Sequence, residues 1–145
     1  MKSNERQVGG DHYSADGVQH WDVVIRTKSG YAEGNVTKYI GRWRKKHGIQ
    51  DLQKALHYAE KLLEEVTINR LTNTSMFVSP DPVDRRVATE WMEEYFASKN
   101  IGSQEEFISR MTFLWNVPGD VEGVVELISG LIKEAIEEAE RTGAA

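Results

Sequence analysis

Asn35, Lys38, Arg42 and Lys45 recur at spacings of three and four within GNVTKYIGRWRKKHGIQDLQKALHYAEKLLEE, residues 34 to 65. On a helix that spacing lines them up on one side: an amide, two ammonium groups and a guanidinium. Lys46, Lys54 and Tyr58 follow downstream, and His12 and Tyr13 lie upstream between two turn-prone spots. A guanidinium grips phosphate through parallel donors, lysine acts as a point charge, and an aromatic ring offers a stacking face. Together they suit an anionic, planar ligand. The plainer alternative is a solvated basic face with packing aromatics, which is what a run such as Arg44-Lys45-Lys46 ordinarily is.

These residues need helices to hold them. Val36, Tyr39, Ile40 and Trp43 fall at i, i+3, i+4 and i+7, so the first helix, Tyr31 to His47, has an apolar stripe beside the polar line. Leu52, Ala55, Leu56, Ala59, Leu62, Leu63 and Val66 give a second stripe, with Gln50 or Asp51 as its capping candidate. Gly48 stands between as a left-handed stop, which predicts an antiparallel hairpin. Gly34 and Gly41 weaken the first helix by about 1 kcal/mol each relative to Ala, the mark of a close approach or of simple tolerance. Ahead of the hairpin, residues 1 to 20 read as a loop-rich arm. Val18 to Arg26 fits a short helix or a strand, and the helical context favours the helix.

The chain of 145 residues has room for one ordinary core. It has no cysteine, which excludes disulfides and thiolate chemistry. No apolar run approaches the roughly 20 residues of a membrane span, and the first ten lack a signal peptide's apolar core. A cytoplasmic protein is expected. The net charge of −5 hides an asymmetry: residues 1 to 71 hold 12 Lys+Arg against 9 Asp+Glu, and residues 72 to 145 hold 6 against 14. The basic front can hold phosphates, while the acidic remainder argues against nucleic acid as partner.

Residues 72 to 82, rich in Thr, Ser and Pro, read as a linker between a domain at 1 to 71 and an acidic extension at 83 to 145. A helix from Val83 to Ser98 buries Val87, Ala88, Trp91, Tyr95 and Phe96. Ser103 and Glu106 form a capping box ahead of Phe107, Met111, Leu114 and Trp115. Asp120 caps a last helix, Val121 to Arg141, with a near-heptad apolar seam. That seam predicts a partner: either the two preceding helices or the same helix of another subunit, giving a homo-oligomer. The fold class is therefore all-α, a helical hairpin core with a loop-rich arm and an acidic three-helix extension.

Known catalytic signatures are missing. There is no G-x-x-x-x-G-K-[ST], no H-E-x-x-H and no G-x-S-x-G. However, V-G-G-D-H-Y at 8 to 13, Gln19, Trp21-Asp22, G-N-x-x-K-Y-I-x-R at 34 to 42, Lys46 and D-L-x-K-A-x-x-Y at 51 to 58 resemble a family of small bacteriophage proteins. That family is often catalogued as a domain of unknown function, and its best-known member is a phage nucleoside monophosphate kinase. The resemblance covers roughly residues 7 to 66. It implies nucleotide handling in an infected cell, with His12, Tyr13, Asn35, Lys38, Arg42, Lys46, Asp51, Lys54 and Tyr58 at the matching motif positions. A kinase of this kind implies ATP and Mg²⁺, with Lys38, Arg42 and Lys46 sharing the charge of the transferred group, Lys38, Arg42 and Asp51 as catalytic residues, and Asp11, Asp22 or Asp51 as metal contacts.

Two other functions fit the sequence. One is a non-catalytic sponge that sequesters a host-defence signalling nucleotide, and the other a host-takeover protein that docks a partner through its acidic helices. On the sequence alone, Arg42→Ala is expected to cost ligand affinity of about 1.5 to 3 kcal/mol while barely changing the fold.

Overall fold

A computed structural model describes residues 17–72, 82–114 and 121–143 of the chain. They form six helices, α1 (His20–Thr27), α2 (Tyr31–Arg42), α3 (Ile49–Thr72), α4 (Pro82–Ser98), α5 (Ser103–Phe113) and α6 (Val121–Thr142), and no strand among the described residues. The fold is all-α, as the periodicity predicts. Residues 1 to 16 of the expected arm at 1 to 20, and most of the expected linker, lie outside the described residues.

Side chains near each start fix the short helices. The Asp22 carboxylate accepts the Gln19 N–H at 2.9 Å, and Glu33 accepts the Gly30 N–H at 3.1 Å. Lys28 ends α1 in the left-handed region, φ 56°, so the stretch that could have been a strand is a capped helix.

The first long helix stops at Arg42, five residues short of the expected His47. Continuing it would commit the His47 N–H to the Trp43 carbonyl. Instead the Asp51 carboxylate takes that N–H at 3.2 Å, and the Gly48 N–H takes the Trp43 carbonyl at 2.9 Å. Gly48 sits at φ 60°, the expected left-handed stop, and α3 turns back antiparallel to α2.

Packing joins the two ends of the chain. α2 lies against α3 and α5, α3 against α6, and α1 against α4. One apolar cluster runs through Val36, Ile40, Leu52, Ala59, Ile128 and Ile132, and a second links Val18 and Val23 to Met92, Tyr95, Phe96 and Phe113. The seam of α6 is therefore met inside the chain, chiefly by α3, an element from well before the two helices that precede it.

Two details of the acidic helices differ from expectation. The residue preceding α5's first turn is Gly102, and Glu105, rather than Glu106, curls back over it, leaving no room for a Cβ on Gly102 beside the Glu105 carboxylate. The buried face of α5 is Glu105, Ile108, Ser109, Thr112 and Phe113, leaving Phe107 53% exposed. Polar residues hide that stripe from a hydrophobicity count. Thr112 can be buried because its hydroxyl donates to the Ile108 carbonyl at 2.7 Å. Gly41 resolves the question of the glycines in α2: an added Cβ would lie 2.7 Å from the Tyr95 hydroxyl of α4, so the position is a close approach.

Candidate functional site

The outer rim of the hairpin centres on Tyr39. Its ring stacks on Tyr58 of α3 at 6.1 Å and 14°, and three cations surround it. The Arg42 guanidinium carbon lies 4.8 Å from the ring centre, Lys38 Nζ 5.3 Å and Lys54 Nζ 5.4 Å. Tyr31 extends the row, edge-on to Tyr58 at 5.7 Å with their hydroxyls 3.4 Å apart. That hydroxyl contact is the main cause lifting the Tyr58 phenol above its ordinary pKa. Among the described residues no carboxylate stands within ion-pair distance of Lys38 or Lys54. Their charges are held by an aromatic face and remain available to an anion.

Arg42 is anchored differently. Its Nε and one terminal nitrogen donate to the two Asp51 oxygens, each at 3.3 Å, and Asp51 is wholly buried while Arg42 keeps 20% of its side chain exposed. Asp51 also accepts the His47 N–H and lies 3.6 Å from His47 Nδ1. The carboxylate thus ties the end of α2, the turn and the start of α3 together. Removing Arg42 would leave it buried without its charged partner, so Arg42→Ala is destabilising, contrary to the expectation that the fold would be spared.

The other residues singled out by sequence are dispersed. Asn35 donates to the Tyr31 carbonyl at 2.8 Å, on the same rim. Lys46 is exposed in the turn after α2. Lys45 donates to the Lys99 carbonyl at 2.8 Å, and Arg44 lies 4.3 Å over Trp43 and 3.4 Å from Glu105, so two members of the basic run fasten the turn to the residue after α4 and to α5. Asp22 is engaged at the start of α1. His12, Tyr13 and Asp11 lie outside the described residues. Among the described residues no three His, Asp or Glu side chains gather as metal ligands.

Tyr31 and Tyr39 are the rim residues that sequence reasoning missed. Tyr39 belongs to the apolar stripe by its spacing, yet it stands at i+1 from Lys38 and i−3 from Arg42, and an amphipathic ring at that boundary serves both faces. Behind the rim, His20 Nε2 lies 2.7 Å from the Thr37 hydroxyl, with its ring 6.1 Å from those of Tyr95 and Phe113. The same hydroxyl also reaches the Glu33 carbonyl at 3.1 Å. Burial, and then the charge of Lys38, pushes the His20 pKa down to about 4.

This rim lies within the stretch that known proteins share. Residues 8–60 match the family model "Protein of unknown function (DUF3310)". The stretch is similar to an uncharacterised family, and the match takes in α1, α2, the turn and the part of α3 that carries Lys54 and Tyr58. No curated protein and no solved structure matches the chain.

Proposed function

We propose that the α2–α3 rim holds the phosphates of a nucleotide, and that the chain is a P-loop-free (deoxy)nucleoside monophosphate kinase at work in the cytoplasm of a phage-infected cell. The observation that carries the reading is the convergence of Lys38, Arg42 and Lys54 on Tyr39 beside Tyr58. In this reaction an oxygen of the monophosphate attacks the terminal phosphorus of a nucleoside triphosphate, and the bond to the bridging oxygen breaks, leaving two diphosphates. Mg²⁺ enters as the complex with ATP. Protein groups have little covalent work to do; they position the reactants and balance charge, tasks suited to Lys38 and Lys54 with Arg42 fixed by Asp51.

One observation also favours sequestration without turnover. Because Asp51 and Tyr39 hold Arg42 in place, the rim is preformed, and a sponge needs nothing more than a preformed basic surface. Host takeover through the acidic helices gains nothing from the α6 seam, which other helices of the chain cover.

Incubation with Mg-ATP and a panel of deoxynucleoside monophosphates, with products read by chromatography, tests the choice. Diphosphates that vanish in Lys38→Ala and Lys54→Ala are the expected result. Retention of an unaltered nucleotide without product would replace the kinase by the sponge, and neither product nor retention would remove the nucleotide reading.

A further inference from the structure

The rim has a direction. Its cations gather at one end, around Tyr39, while Tyr31 at the other end is 78% exposed and presents its ring to solvent. On the tyrosine side of α3, Lys61, the next cation after Tyr58, is matched by Glu64 at 3.6 Å and Glu65 at 2.9 Å. The Tyr39 ring is already occupied by Tyr58 and by its cations, which leaves the Tyr31–Tyr58 pair as the surface for a base. Tyr31 and Lys38 are seven residues apart on α2, about 10 Å along its axis. A base lying on Tyr31 has only its sugar between it and the first phosphate, so the later phosphates of a chain are the ones that reach the lysines.

From this we infer that the rim takes its ligand lengthwise, base on Tyr31 and Tyr58 and phosphate chain on Lys38 and Lys54, and is therefore built for nucleoside triphosphates over monophosphates. The inference rests on the nucleotide reading above and adds the ligand's orientation and its phosphate count. It makes Tyr31 a specificity residue of the rim. Stacking on a tyrosine tolerates any base, so the preference lies in the number of phosphates rather than in base identity.

Equilibrium dialysis of the wild-type chain, Tyr31→Ala, Tyr31→Phe and Lys38→Ala tests it, with the four deoxynucleoside triphosphates, the matching monophosphates and inorganic tripolyphosphate as probes. The wild type is expected to hold triphosphates at least tenfold more tightly than monophosphates. Tyr31→Ala should weaken nucleoside triphosphates about tenfold, the loss of one stacked base, and leave tripolyphosphate unchanged. Tyr31→Phe should keep wild-type affinity, and Lys38→Ala should weaken both kinds of probe together. Monophosphates held as tightly as triphosphates, or Tyr31→Ala indistinguishable from wild type on nucleotides, would overturn the lengthwise placement while leaving a phosphate site. If no probe is retained by the wild type, the nucleotide reading itself falls.

Discussion

Arg42 and Arg110 both pair with carboxylates, and the two are not equivalent. Arg42 of α2 shares a wholly buried Asp51 with the backbone of the turn, whereas Arg110 of α5 bridges Glu93 and Glu106, Glu106 at 2.7 Å, in a cluster that keeps about a third or more of each side chain in water. Arg110 is raised above its ordinary pKa, chiefly by the Glu93 bond, and Glu93 is lowered by the same bond, yet the exposure of both groups screens that exchange. The buried pair is difficult to break because a carboxylate this deep cannot turn to water in place of the guanidinium. The Arg110 cluster balances its charge at the surface, whereas the Arg42–Asp51 pair is fixed underneath a rim that carries Lys38 and Lys54.

The contrast is broken most directly at Asp51. Asp51→Ala should cost about 3 to 5 kcal/mol in denaturant unfolding, as expected when one partner of a buried pair is removed. A loss under 1 kcal/mol would make the two arginines alike.

Next in size is the acid response at the junction behind the rim. His20 binds its proton only near pH 4 when folded, while an unfolded histidine titrates near 6.5. Between those values the unfolded chain takes up a proton that the folded chain refuses, so stability falls as pH drops from 6.5 to 4. The full loss is about 3 kcal/mol, and His20→Gln should flatten that part of the stability curve.

Gly41→Ala probes the same junction by volume. The new methyl meets the Tyr95 hydroxyl, and overpacking of this kind costs about 1 to 3 kcal/mol, more than the roughly 1 kcal/mol of helix propensity gained. Tyr95→Phe in the same chain should restore most of it. A Gly41→Ala protein more stable than wild type would show that α2 and α4 are free to separate.

The smallest effect sharpens the comparison from the other side. Glu93→Gln should change unfolding free energy by less than about 1 kcal/mol, and raised salt should remove the difference.

Much of the hairpin was legible in the sequence because its signals agree with one another. The 3.6-residue period, Gly48 and the stripe from Leu52 to Val66 all specify two antiparallel helices, which is what forms. The early end of α2 was not legible, since it depends on Asp51 outcompeting a helical carbonyl for one N–H. The α5 face was obscured by Ser109 and Thr112, whose hydroxyls bury only after finding backbone partners or close packing. At the rim, the cations could be named from type and spacing, but Tyr39's role required knowing that Tyr58 and Lys54 arrive from the other helix. The choice of α3 as the covering for α6 is a tertiary fact with no local mark.

That covering has a temporal side. A ribosome emits α2 and α3 early, and the hairpin can close as soon as both have emerged. The far side of α3, with Leu62 and Val66, then waits uncovered until residues 121–142 have been made. During that interval the nascent chain exposes a greasy stripe that chaperones bind and neighbouring chains can aggregate upon.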